Sequence, residues 1–148
     1  MRRILALLAL LVMGFAPAPF PKPERTGRDK LVAMRGEWKL VSLSLDGRPL
    51  RAAGGMSAAV FDGNRLSLLD VDGVVISRWI VTLAPSKNPK RMDLKDADAP
   101  DQTLLGIYKL DGDTLTLACA NPTIVSKGPT DFNPHKGTEV SVYKRKKK

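Results

Sequence analysis

An all-β fold is predicted for this 148-residue chain: eight antiparallel strands in a meander, forming a small β-barrel with one short N-terminal helix. Two observations carry that expectation. Four Asp-Gly dipeptides, Asp46-Gly47, Asp62-Gly63, Asp72-Gly73 and Asp111-Gly112, each separate two strand-like runs. Asp-Gly suits tight hairpins because a type I′ turn needs positive φ at both central residues. When the runs are paired through those turns, apolar residues collect on one face over several successive strands, as a one-sided antiparallel sheet requires.

The chain opens as an export signal. Arg2 and Arg3 make a positive start, Ile4 to Phe15 an apolar run of twelve, and Ala16-Pro17-Ala18 a small-x-small cleavage pattern. Twelve residues rise about 18 Å as a helix against about 30 Å of hydrocarbon, so export is expected and a membrane span is not. Residues 1–18 are read as a signal peptide, and the mature protein as periplasmic or extracellular. Cys119 is the only cysteine, which excludes both a lipid-anchored cysteine beside the signal and an internal disulfide.

Residues 19–30, with Pro21, Pro23 and several charges, read as a linker. Asp29 is placed to cap a short helix running to Arg35, with Leu31 and Met34 on one face and Gly36 in the stop position. Strands are expected over residues 38–45, 57–61, 65–71, 74–83, 91–94, 103–110, 114–120 and 138–144. The barrel domain spans 31–145, and 146–148 form a basic tail.

The turns predict pairing. A two-residue loop at Asp111-Gly112 sets Tyr108 opposite Leu115, Gly106 opposite Leu117 and Leu104 opposite Cys119. The same logic at Asp72-Gly73 gathers Leu66, Leu68, Val75, Trp79 and Val81, and the preceding turn adds Ala59 and Phe61. Strand 38–45 is ambiguous, since Trp38 and Leu40 oppose Val41, Leu43 and Leu45 in phase. Eight strands make a barrel just wide enough to be filled by side chains or to hold one small ligand. Strands this short favour a shallow or largely filled interior.

The net charge of +9 is concentrated at the ends. Arg2 and Arg3, the cluster over 22–30 and the run Lys144 to Lys148 account for all of it, leaving 13 basic and 13 acidic residues between 31 and 143. No basic stripe marks a nucleic-acid face. The tail reads as a solvated end, with contact to an anionic envelope surface as the sharper alternative.

No catalytic constellation is visible. His135 is the only histidine and Cys119 its only soft partner, too few for zinc, and Cys119 projects with Leu115 and Leu117 as a small hydrophobe. Asp93, Asp96, Asp98 and Asp101 crowd one loop but lack the glycine and bidentate glutamate of an EF-hand. Lys87 and Lys90, with Arg91, form a basic turn beside Pro85 and Pro89 that could receive an anionic group. Trp38, Phe61, Trp79, Tyr108 and Cys119 would line any interior cavity, and read equally as core. No cofactor or metal is called for, and an enzyme is not expected.

Two resemblances follow from these residues. A short helix followed by Gly36-Glu37-Trp38 resembles the G-x-W opening of lipocalins, which implies that Trp38 plugs the barrel base and that Arg145, after the last strand, packs over it. More widely, residues 31–145 are similar to a lipocalin-like domain of unknown function abundant in planctomycete bacteria. The matching pieces are Gly36 to Val41, Pro85 to Leu94, Leu104 to Leu115 and Pro129 to Phe132. Ala84 departs from that family's pattern, which carries Asp before the proline. The resemblance implies a fold and an extracytoplasmic habit, and no activity. The functional expectation is an exported barrel that binds a small apolar or amphipathic ligand; the alternative is an envelope interaction module with a filled barrel.

Overall fold

In the computed structural model, which describes residues 27–50 and 55–147, helix α1 (Gly27–Met34) precedes nine strands. These are β1 (Gly36–Leu45), β2 (Arg48–Leu50), β3 (Met56–Asp62), β4 (Arg65–Asp70), β5 (Val75–Ala84), β6 (Arg91–Asp96), β7 (Thr103–Asp111), β8 (Thr114–Ala120) and β9 (Thr138–Arg145). The signal peptide at 1–18 and the linker up to residue 26 lie outside the described residues. Residues 27–30, read as linker, are helical, so Asp29 sits in the first turn of α1 rather than capping it.

Eight strands close into an antiparallel barrel. From β3 to β9 each strand pairs with the next, and β1 completes the circuit by pairing with both β3 and β9. The three-residue β2, which the sequence reading missed, forms a hairpin on the far part of β1 outside that circuit.

The turns account for the registers. Leu45 faces Arg48 across Asp46-Gly47, where φ is 53° and 78°, the double positive of a type I′ turn. At the other two-residue loops the flanking pairs are Asp62–Arg65 and Asp111–Thr114, so glycine leads and the Asp belongs to the strand. Only the glycine has positive φ there, as a type II′ turn requires. Tyr108 therefore faces Leu117, and Gly106 faces Cys119, two residues from the expected register. Because side chains alternate with period two, the shift leaves the inner face unchanged.

Two β-bulges correct the remaining phase errors. The register of β1 shifts between Leu40 and Ser42, leaving Val41 57% exposed while Trp38 is 0% and Leu43 6% exposed. Both apolar phases of that strand thus reach the core. A second shift places Leu69 opposite Val75, so Val75 leaves the inner face to which it was assigned.

The interior holds Met34, Trp38, Phe61, Leu66, Val81, Met92, Leu115 and Tyr143, all at most 3% exposed. A separate apolar cluster lies outside the wall. Ile107, Ala118 and Val140 pack beneath Phe132 of the long β8–β9 connection.

Strand directions give the barrel two distinct ends. The helix end carries α1, the β3–β4 and β7–β8 turns, the β5–β6 loop and residues 146–147; the far end carries the remaining connections. At the helix end, the indole N–H of Trp38 donates to the Met34 carbonyl at 2.7 Å. The guanidinium of Arg145 lies 4.1 Å from the centroid of the Trp38 ring. It also donates to the carbonyls of Arg35 (2.9 Å) and Ala33 (2.6 Å), groups that a helix terminus leaves without intrahelical partners. The tail read as solvated is pinned in its first two residues: Lys146 bonds Glu37 at 2.9 Å, and Lys147 lies 3.6 Å from Asp113.

Trp79 projects inward, as its pairing with Leu66 requires, but it is only half-buried. Trp38→Ala is expected to destabilise the fold by about 3–5 kcal/mol, the usual loss for a fully buried aromatic, and Trp79→Ala by less. Urea unfolding of both variants checks the order; a larger loss at Trp79 would contradict this packing.

Candidate functional site

The inner face changes character along β8 and β9. Leu115 pairs with Tyr143, Leu117 with Ser141 and Cys119 with Glu139, so apolar partners near the helix end give way to polar ones toward the far end. Burial pushes the Cys119 thiol up to about 12, helped by the negative charges of Glu139 and Asp93. The Glu139 carboxyl is likewise raised by burial. Tyr143 is raised mainly by burial, against an opposing hydrogen bond with Ser141, and its hydroxyl lies 3.8 Å from the Met56 sulfur. On β7 the Tyr108 hydroxyl is buried with no hydrogen-bond partner, and burial raises its pKa.

Four of the five proposed lining residues, Trp38, Phe61, Tyr108 and Cys119, belong to one packed cluster with Met34 and Tyr143. Exposures of 0% at Trp38, Met92 and Leu115 leave no water-sized space against those side chains. Trp79 packs on the same cluster from its edge, its indole N–H donating to Ser77 Oγ at 3.0 Å. It borders an opening of about 330 Å³ with Arg65, Arg78 and Ala97.

Lys87 and Lys90 are exposed in the β5–β6 loop at the helix end, the end plugged by Met34 and Trp38. Neither makes an ion pair with a described residue. Arg91 turns along the outer wall toward Asp93 (3.7 Å) and the Lys127 carbonyl (3.4 Å).

The fold separates His135 from Cys119. His135 is exposed in the β8–β9 connection, with Nε2 3.0 Å from Asp131 Oδ1, while Cys119 faces inward. A backbone hydrogen bond from Asn133, then His135, holds the Asp131 carboxyl below its ordinary range. The acidic loop is occupied internally: Asp96 accepts from the backbone of Asp98 (2.8 Å) and Ala99 (2.9 Å), and Asp98 lies 3.9 Å from Arg78. Among the described residues no group of three or more His, Cys, Asp or Glu could hold a metal ion. A buried thiol with a raised pKa is a poor nucleophile.

A groove of about 640 Å³ runs between α1, the β3–β4 turn and β5, bordered by Arg28, Leu31, Asp62 and Leu83. Sequence reasoning missed it, because it exists only through the docking of α1 on the wall. Set against family models, curated proteins and solved structures, the chain matches none.

Two pH dependences follow. The folded pKa of Cys119 exceeds its unfolded value, so its contribution to stability is intact below about pH 8.5 and is lost as pH rises toward 12. Urea unfolding at a series of alkaline pH values is expected to show a shallower decline for Cys119→Ala than for the parent, and equal slopes would refute the assignment. For Glu139, also raised, stability is highest below the ordinary carboxylate range and falls as pH rises through the folded value. Glu139→Gln should flatten that acid-side slope.

Proposed function

We propose that the mature protein is an exported, non-enzymatic interaction module whose filled barrel is a rigid frame. The packed interior carries this reading, since side chains at or near zero exposure leave no enclosed space for a guest around Trp38, Met92 and Leu115. The Arg2–Ala18 pattern supports export, and the cationic C-terminal run supports contact with an anionic envelope surface. Membership of the lipocalin-like family is supported by Trp38 opening β1 beneath Arg145.

A second reading keeps a small apolar or amphipathic ligand. It is favoured by the Tyr108 hydroxyl, buried without a partner, and by half-buried Trp79 beside its opening. A buried polar group without a partner is destabilising, and a bound polar atom would relieve it.

Native mass spectrometry of the protein isolated from its own host separates these readings. The module reading expects a chain beginning near residue 19 with no bound mass. A retained small molecule would favour the ligand reading, and an intact N-terminus in the cytosolic fraction would overturn export.

A further inference from the structure

Charges that balance along the chain do not balance in space. Across helix-end segments 27–37, 61–66, 83–92, 107–115 and 143–147, twelve Lys and Arg stand against five Asp and Glu. Across far-end segments 43–50, 55–57, 68–78, 93–106 and 117–141, five stand against nine. Hairpin topology produces this segregation, because every second connection returns to the same end.

The two ends also use their charges differently. At the far end the acids are largely spent inside the fold. Asp70 and Asp96 accept backbone N–H groups in their own turns, Asp46 accepts from Gly137 N across the barrel rim, and Asp131 is taken by His135. At the helix end the cations outnumber their partners. Arg28 and Lys30 on α1, Arg65 on β4, Lys87 and Lys90 in the β5–β6 loop, Lys109 on β7 and Lys144 on β9 make no ion pair with a described residue.

We propose that the helix end is a docking face for an anionic phospholipid surface, on which the barrel stands with its far end outward. This deepens the interaction-module reading and rests on it for the compartment. It moves the contact from the tail to the whole end of the barrel. These cations come from five elements spaced round the closed sheet, so they form a ring, which suits a charged plane better than a linear polyanion. Val32, 70% exposed on α1, lies beside Arg28 and Arg35, with Asp29 one turn before it on the helix. An exposed apolar side chain flanked by two arginines suits the boundary between headgroups and acyl chains. Trp38, Phe61, Tyr108 and Tyr143, the aromatics nearest this end, are at most 2% exposed, so no stacking platform for single-stranded nucleic acid is offered. A second copy is the weaker partner, because most far-end acids are held by backbone N–H groups or basic side chains of their own fold.

The test is co-sedimentation of the exported protein, purified from its host, with vesicles of pure phosphatidylcholine and with phosphatidylglycerol-rich vesicles. Binding is expected only to the anionic vesicles, and should weaken as salt shortens the screening length from about 10 Å at 0.1 M to about 3 Å at 1 M. Lys87→Glu/Lys90→Glu/Lys109→Glu alters exposed positions only, so its thermal melt should match the parent. It should bind anionic vesicles at least about a hundredfold more weakly, at roughly fivefold per cation. Removing Lys147 and Lys148 should have the smaller effect. Equal binding to both vesicle types would overturn the proposal, as insertion of an uncleaved apolar run would give that result. Loss on tail removal with the triple variant unaffected would overturn it too, while leaving the tail contact of the broader reading in place. Concentration-dependent self-association, or binding to nucleic acid but not to vesicles, would likewise overturn it. Mass spectrometry of the same sample reads the N-terminus separately, and an intact one would defeat export whatever the vesicles show.

Discussion

A guanidinium lying on an indole ring joins the first strand of this barrel to the last. Arg145 stacks on Trp38, bonds two carbonyls at the end of α1, and sits 3.4 Å from Asp113 at the β7–β8 turn. A single side chain thus connects the helix, both seam strands and one hairpin tip. A meander of hairpins is local until its ends meet; closing it brings residues more than a hundred positions apart together and orders the chain between them. Interactions at the seam must offset that entropy. The Trp38 ring supplies the buried area, and Arg145 supplies the directional bonds, satisfying carbonyls that would otherwise be left bare under the barrel.

The rest of the architecture is arranged around that closure. The bulge at Val41 lets β1 pair with β9 along its length while still turning Trp38, Leu40 and Leu43 toward the core. Gly106 is required where β6, β7 and β8 crowd together: a Cβ there would press on the Met92 carbonyl and lie 3.0 Å from Cys119 Sγ. The interior is dense near the helix and turns more polar along β9, where Ser141 and Glu139 occupy the positions that Tyr143 holds nearer the helix end. Outside this frame, topology has gathered at one end cations that make no ion pair with a described residue. Neutral bookkeeping along a chain says little about the field around its fold, because a meander sends alternate turns to opposite poles.

Hairpin chemistry made much of this fold legible in the residues. The Asp-Gly pairs marked every turn at which they stand, and period-two alternation placed Ala59, Phe61, Leu66, Trp79 and Val81 on one face. Errors arose where spacing departs from strict alternation. Whether the Asp or the Gly leads a two-residue loop depends on backbone twist, and this moved the β7–β8 register by two. Bulges at Val41 and beside Val75 have no simple sequence mark. The three residues of β2 were too few for any period to show. The outer cluster under Phe132 was hidden because a long irregular connection, rather than another strand, covers it. Candidate chemistry was less legible still: His135 and Cys119 meet only if the chain brings them together, and the barrel wall stands between them.

The coupling between Trp38 and Arg145 measures the central constraint most directly. A double-mutant cycle with Trp38→Leu and Arg145→Met retains apolar bulk at both sites and removes the cation–ring contact. In urea unfolding, the two single losses should exceed the double loss by about 1–2 kcal/mol, the range for a partly desolvated cation–π pair. Additive losses, within about 0.3 kcal/mol, would mean that the cation–ring contact does not couple the first strand to the last.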